Sequence, residues 1–298
     1  MKLKILSQNA EKGTLDLPKQ FTEEIRPDLI KKAVRVIQNN RRQKYGADPE
    51  AGKRASAELS RRRHDYRGSY GAGISRVPRK ILTRRGTRMY WVGAVAPGTV
   101  GGRRAHPPKA EKEWSLKINK KEKRKAIRSA ISATIIKELV EERGHIVPDS
   151  YPFVLSGDIE SIEKAKDLKN YLASIGLKDE LERASKKKIR AGKGKSRGRK
   201  YRTKKGPLIV VSSSSKLITT GKNIPGLDIV AVEKLNAELL APGTDIARLT
   251  LFTEPAIREM EEKNMFFDAQ KNQVKKLKEK AGKKEKEKKK ANGTTAKN

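Results

Sequence analysis

The sequence predicts an α/β fold: a single globular domain with a mostly parallel sheet flanked by helices, plus a long extended basic loop and a basic C-terminal tail. Two observations support this prediction. Short, continuous apolar runs alternate along the chain with segments of helical periodicity, which is typical of a parallel sheet covered on both faces. The positive charge is concentrated in three segments, and the rest of the chain is almost neutral.

The first part of the chain contains a predicted strand and two predicted helices. Residues 1–7 are amphipathic and strand-like, and they lack the apolar middle of a signal peptide. In residues 29–37 apolar side chains recur on one helical face, and Pro27 suits the first turn. Asn119 is a suitable N-cap for one long helix whose apolar stripe covers residues 126–140.

The middle of the chain continues the alternation. The run "YPFVLS" (residues 151–156) has the pattern of a buried strand. A helix follows, with its apolar face in residues 162–175, and Gly176 is expected to end it. A short helix is predicted for residues 178–188.

Three more strands and three helical pieces complete the predicted domain. The strands are "PLIVVS" (residues 207–212), "LDIVAV" (residues 227–232) and "RLTLFT" (residues 248–253). The helical pieces are residues 215–220, residues 232–240 and a closing helix at residues 254–263.

The charge is distributed very unevenly. The 298 residues include 71 Lys and Arg against 35 Asp and Glu, a net charge of +36. Residues 41–110 contribute +14, residues 186–205 contribute +12 without any acid, and residues 271–298 contribute +9. We interpret these segments as a loop inserted in a body of residues 1–270, a basic segment of that body, and a Lys-rich tail. Because such an excess would weaken a compact free state by self-repulsion, it indicates a polyanionic partner.

Catalytic and metal-binding chemistry is not indicated. The lack of cysteine excludes disulfides, thiol nucleophiles and Cys-type zinc sites. The run "GKGKS" (residues 192–196) is not a P-loop, since Ile189 stands where its first glycine is needed, and no histidine has a companion at metal-ligand spacing. No apolar run approaches the roughly 20 residues that span a bilayer. We therefore expect a soluble, intracellular protein without enzymatic activity, cofactor, metal or membrane contact.

The inserted loop has a composition suited to RNA. Arginine outnumbers lysine there, and its planar fork suits bidentate phosphate contacts. Tyr66, Tyr70, Tyr90 and Trp91 interleave with the arginines and offer faces on which unpaired bases can stack. So polar a segment is expected to order only against its partner. The predicted RNA contacts of the loop are Arg61, Arg62, Arg63, Arg67, Arg76, Arg79, Lys80, Arg84, Arg85, Arg88, Arg103, Arg104 and His106.

The basic segment, residues 186–205, has a cation at nearly every second position, with glycines between them. This pattern favours an extended backbone in an RNA groove, fixed to the sheet by the apolar strand that follows. The predicted contacts are Arg190, Lys193, Lys195, Arg197, Arg199, Lys200, Tyr201, Arg202, Lys204 and Lys205. For the tail we expect at most weak, salt-sensitive phosphate contacts. Simpler alternatives stay open here: a disordered basic loop, a solvated charge run, and an apolar contact of residues 90–92 with the body.

Three runs resemble one known family. They are "IRAGKGKSRGRKYRTKKGPLIVV" (residues 189–211), "GRRAHPPKAEKEWSLKINKKEKRKAIRSAISAT" (residues 102–134) and "LTLFTEPAI" (residues 249–257). In order and spacing the chain resembles the family of the large-subunit ribosomal protein number four in its archaeal and eukaryotic form, over roughly residues 2–263. The short tail is more similar to archaeal members.

The resemblance implies a structural, non-catalytic role in the cytoplasmic large ribosomal subunit, with an α/β body outside and the loop threaded into ribosomal RNA. It implies further that the loop tip, residues 84–100, helps to line the nascent-peptide exit tunnel, with Arg88, Met89, Tyr90, Trp91 and Val92 at the tip. The implied partners are large-subunit ribosomal RNA, neighbouring ribosomal proteins including the one numbered twenty-two, and the nascent peptide. No homo-oligomer is implied.

Two rival functions come from other classes. A general RNA chaperone or RNA-packing protein would share the basic segments but bind many RNAs alike. An α/β RNA-modifying enzyme would need a cofactor pocket at the carboxyl ends of the strands, where the sequence after Ser156 and Ser212 has no glycine-rich turn.

Overall fold

Strands and helices alternate along much of the chain in the computed structural model, which describes residues 1–8, 11–212 and 215–267. The strands are β1 (Lys2–Leu6), β2 (Glu11–Asp16), β3 (Arg79–Arg85), β4 (Arg88–Gly93), β5 (Phe153–Leu155), β6 (Lys188–Ile189), β7 (Tyr201–Arg202), β8 (Leu208–Val211), β9 (Asp228–Ala231) and β10 (Thr250–Phe252). The α-helices are α1 (Pro27–Asn40), α2 (Lys120–Ala133), α3 (Lys137–Glu142), α4 (Ala165–Leu172), α5 (Lys178–Ser185), α6 (Leu217–Thr220), α7 (Ala237–Leu240) and α8 (Glu254–Glu262).

The chain divides into two units. The first comprises Met1–Gln38 and the chain from Leu116 onward, and the second comprises Asn39–Ser115. The predicted loop, residues 41–110, falls inside the second unit, while its exact limits and those of the other predicted segments stay predictions. The predicted tail, residues 271–298, lies outside the described residues.

The described residues of the first unit form two three-stranded sheets and the two-stranded pair of β6 and β7. In one, β1 lies between β2 and β5, antiparallel to β2 and parallel to β5, with Ile5 opposite Val154. In the other, β8 lies between β10 and β9 and is parallel to both. The mixed α/β character is confirmed, but one mostly parallel sheet is not, since the described strands form several small sheets. The antiparallel β2 was not predicted, because its six residues are mostly exposed and give no apolar alternation.

The sequence of strand β8 is a continuous apolar run because both faces of the strand are buried. Its four side chains are fully buried, and they alternate between two apolar clusters. Leu208 and Val210 pack with residues of α1, α2 and α8, whereas Ile209 and Val211 pack with residues of α4 and α5. A strand with both faces covered needs apolar residues at every position.

Two helix predictions from the first unit have different outcomes. Helix α1 begins at Pro27, as predicted, and buries Ile30, Ala33 and Val34. The single long helix predicted after Asn119 is wrong, because α2 ends at Ala133 and α3 begins at Lys137. The carbonyl of Thr134 accepts a hydrogen bond from the buried Tyr151 hydroxyl, so a tertiary contact takes an acceptor that a continuous helix would use.

The second unit contains a β-hairpin that the sequence analysis did not predict. Strands β3 and β4 pair antiparallel, with Arg85 opposite Arg88, and Gly86 in the turn has a φ of +56°. That turn favours glycine because an L side chain is strained there. In β4 the partly buried Met89 and Trp91 alternate with exposed residues, as expected for a strand. The arginines at the ends of β3 and β4 interrupt this two-residue period in the sequence, which makes the strands hard to predict.

Candidate nucleic-acid interface

The basic segment is a hairpin, which corrects the extended backbone predicted for residues 186–205. Strands β6 and β7 pair antiparallel, with Lys188 opposite Arg202, and the Arg190 amide donates to the carbonyl of Lys200 at 2.8 Å. Between the strands, the amides of Arg197 and Arg199 both donate to the carbonyl of Gly194. The glycines that suggested an extended chain instead allow turns, since Gly192 and Gly198 have φ near +75°.

A buried arginine ties the end of this hairpin to the core. The Arg248 side chain is 1% exposed and donates to the carbonyl of Gly206 at 2.8 Å and to that of Pro207 at 3.3 Å. It also forms an ion pair with Asp228 at 2.7 Å. Burial alone would raise the pKa of Asp228, but Arg248 and Lys205 outweigh it and that pKa lies below its usual range. Burial lowers the pKa of Arg248 itself.

A buried carboxylate orders the other side of the hairpin base. Glu180 in α5 is fully buried, and its Oε1 lies 2.7 Å from Nδ1 of His145. Arg183 donates to Glu180 at 2.6 Å and to the carbonyl of Lys205 at 2.8 Å. Burial would raise the pKa of Glu180, but its hydrogen bonds from Arg183 and His145 keep that pKa below its ordinary value. Burial lowers the pKa of His145.

Two of these residues, His145 and Arg183, line an open basic groove of about 560 Å³. The groove is lined by the predicted contacts Arg202, Lys204 and Lys205. It is also lined by basic side chains that were not predicted, namely Arg143, His145, Arg183, Lys186 and Lys188. Among the described residues, Asp245 is the one acid that lines it. We call the groove and residues 186–205 the hairpin surface.

Arg143 is the residue of the hairpin surface that sequence reasoning could least have found. It donates to the carbonyl of Ile246 at 3.0 Å and to that of Pro242 at 2.6 Å, and burial lowers its pKa to about 10. Its partners are about a hundred residues away in sequence, so no local pattern marks it. The Lys-rich run around Lys186 and Lys188 was visible in the sequence, but only its later part was selected.

The second unit carries the other predicted contacts, which we call the loop surface (residues 61–106). Arg67, Arg79, Lys80 and Arg103 are partly buried there, and the other predicted contacts are exposed. Among the predicted cations of both surfaces, Lys205 alone forms an ion pair in the described part of the chain, with Asp228 at 3.1 Å.

Arginine and aromatic side chains of the loop surface are brought together as pairs. Arg76 lies 4.5 Å from the centre of the Tyr70 ring. Arg67 and Arg84 lie 5.2 and 5.3 Å from the Tyr66 ring. Such pairs are within the range of cation–π attraction and hold aromatic rings beside positive charge. The arrangement suits a surface that stacks bases and neutralises phosphates together.

The predicted tip residues belong to β4. Tyr90 is 67% exposed and Val92 is exposed, whereas Met89 and Trp91 are partly buried, as the alternation of a strand requires. Arg79 of the neighbouring strand lies 5.5 Å from the centre of the Trp91 ring. One face of the hairpin therefore presents Arg88, Tyr90 and Val92 to the outside.

Neither a metal site nor a membrane span is found in the described ranges. Within residues 1–8, 11–212 and 215–267, no group of three or more His, Cys, Asp or Glu side chains could hold a metal ion. Over the same ranges, no helix has the length and apolar character to cross a membrane.

Comparison with known proteins agrees with the resemblance found in the sequence. The model of the ribosomal protein L4/L1 family matches residues 15–263. The chain is 50% identical to the large ribosomal subunit protein uL4 of Nanoarchaeum equitans over 261 residues, which cover 87% of this chain and 97% of that protein. It is 44% identical to the uL4 protein of Archaeoglobus fulgidus over 264 residues, covering 88% and 99% of the two chains. This is a family of structural ribosomal proteins and not of enzymes. The chain belongs to the ribosomal protein L4/L1 family.

Proposed function

We propose that this protein is a structural constituent of the large ribosomal subunit that binds ribosomal RNA through the hairpin surface and the loop surface. The observation that carries the proposal is the exposure of the predicted cationic contacts and their general lack of ion-pair partners within the described part of the chain. All of the predicted contacts are exposed or partly exposed, and Lys205 alone among their cations forms an ion pair in the described part of the chain. The charge is therefore available to an external polyanion, as the phosphates of RNA provide.

The two surfaces suit different kinds of contact. On the hairpin surface Arg143 and Arg183 are fixed by backbone carbonyls and by Glu180, so little side-chain entropy is lost when a phosphate binds beside them. The loop surface adds aromatic rings, which favours unpaired bases as well as phosphates. We infer that the first unit docks on RNA as a folded body and that the loop surface reaches its final form as its charge is neutralised.

The tunnel role and the finer partners rest on the family. We propose that residues 84–100 approach the nascent-peptide exit tunnel, where Arg88, Tyr90 and Val92 would face its interior and the ribosomal protein numbered twenty-two would be a neighbour. The exposed side chains of β4 support this, because an aromatic ring exposed on a hairpin is suited to a contact outside the chain. A photo-crosslinking residue in place of Tyr90 is expected to capture a nascent peptide in assembled subunits, and no capture in translating ribosomes would contradict the tunnel role.

Hydroxyl-radical footprinting on large-subunit ribosomal RNA tests the binding proposal. The wild type is expected to protect a confined set of neighbouring nucleotides. A triple variant of the hairpin surface, Arg197→Gln, Arg199→Gln and Lys200→Gln, should lose part of that protection. A matched control, Lys166→Gln, Lys169→Gln and Lys222→Gln, removes the same charge from exposed positions of the same unit and should keep it.

The outcomes separate this proposal from the rival one. If both triple variants protect RNA equally well, the hairpin surface is not the contact. If the wild type protects nucleotides throughout the RNA without preference, the general RNA chaperone or packing function is favoured instead.

A further inference from the structure

A groove in the second unit contains an aromatic ring that is not among the predicted contacts. The groove has a volume of about 760 Å³ and is lined by Tyr45, Arg104, His106, Pro107 and Pro108, with Lys109 at its side. Its size lies within the usual range of about 300–1,000 Å³ for small-ligand sites. Tyr45 is 50% exposed, although its ring is large and apolar.

The orientation of the Tyr45 ring is fixed by stacking on the neighbouring Trp114 ring. The two rings stack with centres 5.8 Å apart and an angle of 23° between the planes. Trp114 is itself flanked by two cations, since the Arg42 guanidinium lies 3.9 Å and the Lys112 ammonium 4.4 Å from its centre. A ring supported in this way loses little freedom when a second flat group stacks on it.

The backbone around the groove is also fixed. The amide of Ala47 donates to the carbonyl of Pro108 at 2.8 Å, which joins the chain after Tyr45 to the wall of the groove. A side chain at Gly46 would place its Cβ 2.5 Å from the amide nitrogen of Ala110, so the two chain segments can approach only because a glycine stands there. Two consecutive prolines further restrict the wall.

The chemistry of the lining fits a nucleotide. A flat apolar face at Tyr45 suits a base, while Arg104, Lys109 and Lys112 suit its phosphate. Glu111 is the one acid among the described residues of the lining. The Trp114 ring contacts two residues that line the groove, Tyr45 and Lys112.

We propose that this groove binds one unpaired nucleotide of RNA, with its base stacked on Tyr45 and its phosphate held by the lysine and arginine side chains of the lining. The proposal rests on the proposed function, since it takes RNA as the polyanion. It goes beyond that function in giving the protein a base-stacking site at Tyr45, which lies outside the two basic surfaces, although Arg104 and His106 of the loop surface also line the groove.

The test uses the full chain, a transcript of large-subunit ribosomal RNA and two variants of one residue. Tyr45→Leu keeps an apolar contact on Trp114 but removes the aromatic face, and it is expected to weaken binding by about 5- to 150-fold, the range for the loss of one stacked base. Tyr45→Phe keeps the face and should bind within about twofold of the wild type. The dependence of affinity on salt should be the same in all three, because no phosphate contact is removed.

Fluorescence of Trp114 supplies an independent readout. The chain has two tryptophans, so a Trp91→Phe background leaves Trp114 as the only one. Added RNA should change the emission of this tryptophan when Tyr45 is present and should not do so in the Tyr45→Leu variant.

Three results overturn the proposal. Equal affinity of Tyr45→Leu and wild type, with the wild-type footprint intact, refutes this site and leaves the proposed function standing. A red-shifted Trp114 emission in free Tyr45→Leu, together with weak binding, shows that Tyr45 only supports the neighbouring indole. A wild type that protects no confined region of ribosomal RNA contradicts the proposed function and this inference with it.

Discussion

Replacing Arg248 by methionine tests how the hairpin surface is joined to the core. The change removes a side chain that is 1% exposed and leaves the carbonyl of Gly206 without its donor, whereas the carbonyl of Pro207 keeps the Asp228 amide at 3.2 Å. It also leaves Asp228 without its closer cation. Loss of one partner from a buried ion pair costs about 3–5 kcal/mol.

The structure favours the lower end of that range. The Asp228 side chain is 31% exposed and keeps Lys205 at 3.1 Å, so its charge is still compensated in part. We expect Arg248→Met to lower the free energy of unfolding by about 3 kcal/mol, which corresponds to about 6–12 °C in Tm for a domain of 150–250 residues.

Thermal unfolding followed by circular dichroism measures this effect in the absence of RNA. The matched control is Arg258→Met, which removes an exposed arginine paired with Glu254 one helical turn away. Exposed pairs of this kind contribute about 0–1 kcal/mol, so the control should unfold close to the wild type. Equal Tm values for Arg248→Met and Arg258→Met would refute the role assigned to Arg248.

Three further predictions concern the first unit. Burial lowers the pKa of His145 below its ordinary 6.5, so the unfolded chain binds a proton there before the folded chain does. The free energy of unfolding should therefore fall as the pH drops below about 6.5. Urea unfolding of His145→Asn should depend less on pH between 7 and 5 than that of the wild type, whereas the control at an exposed histidine, His64→Asn, should follow the wild type. Gly226→Ala should lower Tm more than Gly192→Ala. Both glycines have positive φ, but only at Gly226 would the new Cβ meet a neighbour, Ala184 at 2.5 Å, and such overpacking costs about 1–3 kcal/mol. Equal losses of Tm in the two variants would show that the surroundings of Gly226 relax freely. Replacing residues 86–100 by a short linker should leave the cooperative unfolding of the first unit intact. The reason is that none of the described residues of the two apolar clusters lies in Asn39–Ser115. Loss of the far-ultraviolet circular dichroism signal in this variant would contradict the prediction.

The sequence allowed the elements around the core to be predicted, since burial on both faces leaves a strong apolar signal. Strand β8 and helix α1 are of this kind, and Gly176, predicted as a helix end, has a φ of +92° between α4 and α5. Elements without such a signal were missed. Strand β2 is exposed, and the β6–β7 pairing depends on two residues per strand within a run of cations.

The candidate site was predictable only in part for a related reason. Clusters of arginine and lysine are visible in the amino-acid composition of a segment, so the positions of both basic surfaces could be predicted from the sequence. The fixed residues of the hairpin surface could not, because Arg143 and Arg183 gain their orientation from carbonyls and a carboxylate that tertiary folding brings near. Tyr45 was overlooked because a single tyrosine at the edge of a polar segment gives no pattern until Trp114 stacks on it.

The salt dependence of binding to large-subunit ribosomal RNA tests the central claim most directly. If the two basic surfaces together neutralise on the order of ten phosphates, the logarithm of affinity should fall against the logarithm of salt concentration with a slope of about −7, at ~0.7 per phosphate. A slope near −7 for the wild type is the predicted result. A slope of about −1 would mean that hardly any phosphates are held, and it would contradict the account.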